Sequence, residues 1–306
     1  MRAAMTLCPA CGAEPLSASF ATPNIQVSRC RQCGHRVARH APLPPDDRDY
    51  HEQFEGGAFL ESLRATRQRQ AKVILAHLRR LEPETTRLLD LGCGRGWFIE
   101  SVLQAGFTEV AGADTSELAV DLVRRLGAHA VLLTADGAAA ALEQLPFRPQ
   151  VLTLLDVLEH FEDEAAIRRL SGVVELFRPE LRLAVVKVPV STGILYRAAT
   201  GLRALGAPVA LEQLYQVGTT PPHHHYFTPR SVNVLLRRAG LDVVAMVRDV
   251  DFEPASLTAR ARAARRLPRP VGSAIGNVSA ALATLLRWQD SLVLFARPAR
   301  GGSDAA

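Results

Sequence analysis

Short apolar runs alternate with longer amphipathic stretches through most of the chain beyond residue 86. Seven of these runs have the length of buried strands, and they lie at 87–91, 110–113, 130–133, 151–155, 181–188, 243–247 and 291–296. Helical periodicity separates most of them, and a further helix is predicted over 52–81. Strands that alternate with helices are typical of a mostly parallel sheet with helices on both faces. We therefore predict an α/β fold with a seven-stranded sheet.

Two stretches interrupt this alternation, at 193–222 and 252–289. Long insertions in a compact domain often serve as lids or partner surfaces. The second insertion places a basic run, 260–269, before an apolar helical face. That combination suits peripheral contact with an anionic membrane or a lipid-linked substrate. The alternative is an apolar face packed on the sheet, with the arginines exposed to solvent.

The first 40 residues follow neither pattern and contain four of the five cysteines. Cys8 and Cys11 form one Cys-x2-Cys pair, Cys30 and Cys33 form another, and 18 residues separate the pairs. This spacing suits a tetrahedral zinc site made of four thiolates. So short a segment cannot build its own core, and the metal would supply its folding free energy. We predict a small zinc ribbon over 1–42 and one larger domain over 43–306. The alternative is four unligated thiols in an unstructured leader.

A glycine-rich turn follows the first predicted strand of the larger domain, where residues 88–98 read Leu-Leu-Asp-Leu-Gly-Cys-Gly-Arg-Gly-Trp-Phe. Glycines permit positive φ and let a ligand approach the backbone closely. Dinucleotide sites use Gly-x-Gly-x-x-Gly, but Trp97 stands at the third glycine position. Asp90 would suit a cationic group better than a pyrophosphate. The segment resembles motif I of class I S-adenosylmethionine-dependent methyltransferases, and the resemblance implies a Rossmann-like fold. The alternative is a tight strand-to-helix turn without a ligand.

That resemblance also implies a set of cofactor-binding residues. The loop that would cradle the methionine part of S-adenosylmethionine comprises Asp90, Gly92, Cys93, Gly94 and Gly96.

Three later carboxylates would complete the cofactor site. Asp114, at the end of the second strand, would accept the ribose hydroxyls. The resemblance places Asp136 at the adenine amino group and Asp156 beside the methionine end. Simpler roles remain open, because Asp136 precedes Gly137 and would also form a turn. Thr115 or Ser116 would cap the following helix.

Histidines are the candidate catalytic bases, because neutral imidazole is the usual base near pH 7. Three of them follow a proline pair in the segment 221–229, ahead of a helix that Thr228 would cap. The segment resembles those of sugar-, lipid- and quinone-type methyltransferases. We predict His223 as the base, then His225, then His160. Alternatively these are packing histidines. A metal site is a further alternative, although adjacent histidines cannot easily share one ion.

Composition limits the remaining classes. The net charge is +5 and the pI about 9.2, so anionic small molecules are compatible partners. The sequence has neither a secretory signal nor an apolar run of about 18 residues, and we expect a cytoplasmic protein. No nucleic-acid partner is expected, since the cysteine-rich segment has few basic residues and no visible aromatic platform.

Together these features predict S-adenosylmethionine-dependent methyl transfer to a small-molecule, sugar or other glycan-like acceptor, including a glycolipid. Some sugar methyltransferases similarly carry a four-cysteine zinc module before the catalytic domain. Two alternatives remain: a nucleotide-cofactor oxidoreductase, and a non-catalytic zinc-ribbon adaptor whose α/β domain only binds a ligand.

Overall fold

The computed structural model describes residues 7–42, 57–134, 137–162, 165–249 and 289–299. Its first part is an antiparallel sheet of β1 (Leu16–Ala21), β2 (Ile25–Cys30) and β3 (Arg36–His40). In β2, Ile25 and Val27 are buried while Gln26 between them is exposed. This alternation is that of a sheet with one solvated face.

The larger domain begins with the long helix α1 (Gly57–Leu81). Strands and helices then follow in the order β4 (Arg87–Leu91), α2 (Trp97–Gln104), β5 (Glu109–Asp114), α3 (Glu117–Arg125), β6 (His129–Leu132), α4 (Ala138–Glu143), β7 (Val151–Leu155), α5 (Ala165–Phe177), β8 (Leu183–Pro189), α6 (Ile194–Ala204), α7 (Val209–Leu214), β9 (His225–Tyr226), α8 (Pro229–Arg238), β10 (Leu241–Asp249) and β11 (Ser291–Pro298). A single 3-10 turn, Leu158–His160, lies between β7 and α5.

Seven of these strands form the main sheet, in the order β10-β11-β8-β7-β4-β5-β6. Neighbours from β8 to β6 pair in parallel, and β11 runs antiparallel between β8 and β10. Leu89 and Leu152 belong to one buried cluster, while Leu88 and Val151 belong to another. The central strands are therefore covered on both faces, which confirms the predicted Rossmann-like fold. The carboxyl ends of β4, β5, β7 and β8 meet at one edge, where α/β proteins bind ligands.

All seven strands begin and end within two residues of their predicted bounds. The insertion 193–222 contains two helices, α6 and α7, that the strand-and-helix pattern did not predict. The insertion 252–289 lies outside the described residues except for its last one. Among the residues that the structure describes, no helix combines the length and hydropathy of a membrane-spanning segment.

The N-terminal sheet is completed by a strand from the larger domain, since β9 pairs antiparallel with β3. A third apolar cluster lies where this sheet meets α6 and α7, and includes Ile25, Tyr196 and Tyr215. The two tyrosine hydroxyls are 2.8 Å apart. On α7, Glu212 accepts hydrogen bonds from Thr22 and Asn24 in the β1–β2 turn. The N-terminal residues thus pack against the insertion and the histidine-rich strand together.

Candidate functional site

The glycine loop after β4 follows a path that glycine makes possible. Gly92 and Gly94 both have positive φ, 70° and 52°. The Gly92 N–H donates to Ala113 O at 2.7 Å, and the Gly94 N–H donates to Asp114 Oδ2 at 2.9 Å. A Cβ at Gly92 would lie 2.4 Å from Cγ2 of Val157. The loop is therefore held against the ends of β5 and β7, at the edge where ligands bind.

The third glycine of the loop has a different environment. Gly96 also has positive φ, 74°, but a Cβ there would lie 2.8 Å from Cδ1 of Leu126, beyond the end of α3. It allows the start of α2 to pack closely against that helix, whereas Gly92, Cys93 and Gly94 line the cavity described below. Cys93 is buried, and burial raises the pKa of its thiol.

Asp114 stands at the cavity wall, at the end of β5. Besides the Gly94 N–H, its carboxylate accepts the Ser116 N–H at 3.0 Å. Ser116 itself caps α3, because its hydroxyl accepts the Ala119 N–H at 3.0 Å. The cap and the acidic residue are therefore different side chains, and Asp114 remains at the cavity. Asp136 lies outside the described residues.

Asp90 is buried beneath the loop. The Thr153 hydroxyl donates to its Oδ1, and Asp90 lines the same cavity as Asp114. Burial raises the pKa of Asp90 to about 7, against the lowering effect of the Thr153 hydrogen bond, and the charge of Asp114 adds to the rise. A cationic group in the cavity would stabilise the ionised carboxylate.

The cavity has a volume of about 1050 Å³ and runs along the carboxyl edge of the main sheet. Small-molecule sites usually have about 300–1,000 Å³. Its walls include the glycine loop, α1 and residues of the α6–α7 insertion. It therefore has room for a cofactor and a second small molecule.

Asp156 is held by two cations at the floor of the cavity. Lys187, on β8, donates to both of its carboxylate oxygens at 2.6 and 2.8 Å, and Arg67 of α1 pairs with the same carboxylate. Burial works to raise the pKa of Asp156, but the two positive charges outweigh it and the pKa is lowered. Asp156 also has a positive φ of 59°. A backbone conformation this uncommon outside glycine often marks a functional site.

Sequence reasoning did not select Lys187 or Arg67. Lys187 is only 1% exposed, and it is the one charged residue in the apolar run of β8. Its position in an apolar central strand could have indicated a functional role, since lysine is rarely buried without a partner. Arg67 is one of several arginines on α1, and its sequence context offers no comparable signal.

His160 and His223 both line the cavity, and their rings are in contact. Their ring centroids are 4.7 Å apart, edge to face. A nitrogen of each ring and a carboxylate oxygen of the buried Glu159 all lie within 4.8 Å of one another. Sequence reasoning did not select Glu159.

The protonation of His160 follows from its hydrogen bond. Its Nδ1 is 3.1 Å from Pro222 O, and a carbonyl oxygen only accepts, so Nδ1 carries the proton and Nε2 is the basic nitrogen. Burial lowers the pKa of His160, against the effect of the Pro222 hydrogen bond. The imidazole is therefore neutral near pH 7 and able to take up a proton.

His225 is placed elsewhere. It is 2% exposed, lies in β9, and its Nδ1 is 3.2 Å from Nε2 of His35 in the N-terminal sheet. The residues that line the cavity include His160 and His223 but not His225. This position suits a packing role between β3 and β9.

The four N-terminal cysteines converge on one point. The Sγ atoms of Cys8 and Cys33 are 3.6 Å apart, as are those of Cys11 and Cys30, and all four lie within 4.8 Å of one another. Each Cys-x2-Cys pair ends in a turn closed by a glycine with φ of 75°, Gly12 or Gly34. Those glycine N–H groups donate to Cys8 O and Cys30 O. The predicted four-cysteine cluster is thus formed by two similar knuckles.

Comparison with known proteins agrees with this arrangement. A family model described as a methyltransferase domain matches residues 63–246, more than half of the chain. The ubiquinone biosynthesis O-methyltransferase of Xanthomonas axonopodis pv. citri is 31% identical over 173 residues, which cover 54% of this chain and 66% of that protein. The enzyme of the same name from Bordetella pertussis is 34% identical over 87 residues, 27% of this chain and 35% of that protein.

A solved structure shows the same fold. A chain from the complex between the Haloferax volcanii Trm112 methyltransferase activator and a methyltransferase superposes with a TM-score of 0.50 at 12% identity, over 84% of this chain and 100% of that chain. The family match covers the glycine loop, the carboxylates and the histidines described above. The chain therefore belongs to the methyltransferase-domain family.

Proposed function

We propose that the protein transfers a methyl group from S-adenosylmethionine to a hydroxyl oxygen of a planar, hydroxylated small molecule. One observation carries the proposal: a single cavity is lined both by the glycine loop with its acidic residues and by His160. The two curated relatives are named as O-methyltransferases, which supports oxygen as the methylated atom.

The loop side of the cavity is the proposed cofactor site. S-adenosylmethionine supplies an electrophilic methyl group on a positively charged sulfur. The carboxylate of Asp90 suits the ammonium of its methionine part, and the guanidinium of Arg67 suits the carboxylate of that part. Asp114 would accept the ribose hydroxyls. The predicted role of Asp136 at the adenine stays a prediction.

The opposite side of the cavity is the proposed acceptor site. Its walls are mostly apolar or aromatic, and include Leu60, Leu63, Val190, Leu195, Tyr196 and Tyr226. Flat apolar rings pack well against such walls. A sugar or glycolipid acceptor, also predicted from the sequence, would find polar partners in Gln213, Gln216 and Thr220, but the larger apolar share of the lining favours an aromatic alcohol.

His160 is the proposed general base, ahead of His223. A phenolic hydroxyl has a pKa near 10, so few molecules are ionised at pH 7. The acceptor proton would pass to Nε2 of His160 as the oxygen attacks, while Pro222 O holds the Nδ1–H. Such a base typically contributes about 10²- to 10⁴-fold in rate. The charge of Asp156 raises the pKa of His160 against the larger effect of burial, and would favour the imidazolium.

We also propose that the four cysteines bind a structural zinc ion. Four sulfurs placed tetrahedrally about 2.3 Å from zinc are about 3.8 Å apart, close to the 3.6 Å of the two sulfur pairs. Four thiolates fill the coordination sphere, so such an ion stabilises structure and does not activate water.

The test is methyl transfer from labelled S-adenosylmethionine to catechol, a planar diol, with glucose as the sugar control. We expect label in catechol, and His160→Gln should lower kcat by about 10²- to 10⁴-fold while cofactor affinity stays within twofold. His129→Gln, on an exposed histidine, is the matched control. Label in the sugar but not in catechol would overturn the acceptor proposal. An unchanged kcat in His160→Gln would remove His160 as the base.

A further inference from the structure

We infer that the four-cysteine module (residues 7–42) is a positioning element for the acceptor side of the cavity, and acts through the histidine segment (residues 222–226). Its role in catalysis rests on the proposed function, because that function makes His160 the base. The chain of contacts runs from the cysteine knuckles to β3, from β3 to the histidine segment, and from there to the 3-10 turn that carries His160.

The first link joins the module to the histidine segment. In the ladder between β3 and β9, Val37 pairs with His225. The Ala38 N–H donates to His224 O at 2.8 Å, and Nε2 of His40 donates to His223 O at 2.9 Å. One edge of the histidine segment is thus bound over three consecutive residues by backbone and side chain of the module.

The second link joins the histidine segment to the proposed base. The His224 N–H donates to Glu159 O at 2.7 Å, and Nδ1 of His160 donates to Pro222 O at 3.1 Å. The carbonyl of His224 therefore accepts from the module, while its N–H donates to the 3-10 turn that carries His160. Since Pro222 O fixes which nitrogen of His160 is basic, any shift of the segment changes the orientation of that ring.

The third link fixes the knuckles to the larger domain. The Thr228 hydroxyl donates to Cys33 O at 2.7 Å, in the second knuckle. Arg238, on α8, donates to Pro9 O and Ala10 O of the first knuckle at 3.3 and 3.1 Å. Each knuckle therefore has its own anchor, and zinc would join the two anchors through the four sulfurs. Without the metal, the knuckles lose the bonds that hold them together.

The cofactor side of the cavity is fixed differently. The N–H groups of Gly92 and Gly94 donate to Ala113 O and to the Asp114 carboxylate, both at the end of β5 in the main sheet. Metal loading should therefore affect the order of the histidine segment without changing the glycine loop. This separation makes the inference testable.

The first experiment compares hydrogen exchange in the full chain with zinc bound and after chelation. We expect exchange at 223–226 to become at least about tenfold faster on chelation, because the module no longer holds the segment whose His223 and His224 N–H groups donate to Tyr215 O and Glu159 O. Exchange at 88–94 and 110–114 should stay unchanged, and the Kd for S-adenosylmethionine should stay within twofold. Unchanged exchange at 223–226 would overturn the inference. So would equal loss of protection in both regions, which would mean general unfolding.

The second experiment keeps the metal and removes one contact. His40→Phe loses the donor to His223 O, whereas His40→Gln keeps one, and His129→Phe is the control on an exposed histidine. We expect His40→Phe to retain zinc and cofactor affinity, to speed exchange at 223–226, and to lower kcat with catechol about fivefold. His40→Gln should restore both values. A His40→Phe protein that matches wild type, or that His40→Gln does not restore, would contradict a positioning role. If no acceptor is methylated, the exchange measurements still decide this inference, while the proposed function fails.

Discussion

The hydroxyl of Thr153 donates a 2.5 Å hydrogen bond to Oδ1 of Asp90, from a neighbouring strand beneath the glycine loop. This contact stabilises the ionised form of the carboxyl, but burial outweighs it and raises the pKa of Asp90 to about 7. Near neutral pH, Asp90 is therefore only partly ionised before a cationic ligand enters.

Asp90 should make stability depend on pH. Its pKa is about 3.9 in an unfolded chain and about 7 in the folded protein, so the folded state binds more protons between these values. The stabilisation is fully present below about pH 4 and is lost as pH rises through about 7, by about 4 kcal/mol at most. Asp90→Asn keeps an acceptor for Thr153 and should remove this dependence. Urea unfolding at pH 5 and pH 8 measures it, with the exposed Asp121→Asn as control. Equal pH dependence in wild type and Asp90→Asn would contradict the assignment.

Asp114 should contribute directly to cofactor affinity. Hydrogen bonds to a charged group contribute about 1.5–3 kcal/mol, so Asp114→Ala should weaken S-adenosylmethionine binding roughly 10- to 100-fold. Asp114→Asn keeps one acceptor oxygen, so its affinity for S-adenosylmethionine should lie between those of wild type and Asp114→Ala. Calorimetric titration measures these affinities. The control, Asp121→Ala, changes an exposed side chain of α3 and should bind S-adenosylmethionine like wild type. Equal affinity of Asp114→Ala and wild type would exclude Asp114 from the site.

Gly92 and Gly106 both have positive φ, but only at Gly92 would an added Cβ clash with a neighbour. Alanine substitutions at the two positions therefore distinguish the cost of backbone strain from the cost of a steric clash. Gly106, with φ of 83°, has nothing within 4 Å of an added Cβ, so Gly106→Ala should cost only the left-handed conformation, about 1–2 kcal/mol. At Gly92 the added Cβ also meets Val157, which should cost about 1–3 kcal/mol more. Urea unfolding compares the two variants. Gly92→Ala should also lose cofactor binding, and equal destabilisation of both variants would show that Val157 moves aside freely.

The cysteines should differ in their effect on metal content. Cys30→Ser removes one of the four clustered sulfurs and should lose bound zinc, whereas Cys93→Ser changes a buried thiol within the glycine loop and should retain one zinc per chain. Metal analysis of the purified proteins distinguishes them. Retention of zinc by Cys30→Ser would contradict the four-thiolate site.

Local patterns predicted the main sheet well because its central strands are buried on both faces. The apolar runs at 151–155 and 181–188 stand out for that reason, and the glycines at 92, 94 and 96 mark the turn that a ligand site needs. These signals lie within a few residues of one another. They predicted the fold and a glycine loop that lines the cavity.

The acceptor side depends on pairings between distant residues, which local patterns do not show. His225 and His223 are two positions apart, yet one packs against His35 and the other faces the cavity. His225 belongs to β9 and pairs with Val37 of β3, whereas His223 lies before that strand, and no local pattern shows where so short a strand begins. The ion pair of Arg67 with Asp156 likewise joins α1 to the end of β7, and neither sequence segment indicates the other.

The pairing of β3 with β9 also constrains the order of folding. His35 and His225 meet across 190 residues, so the sheet of β1, β2 and β3 is completed only after the elements from α1 to α7 have been synthesised. Closing so long a loop is slow, because its entropy is lost before the contacts form. Until then the open edge of β3 is free to pair with another chain. During synthesis, early zinc binding would hold the two knuckles together and shorten the search for β9.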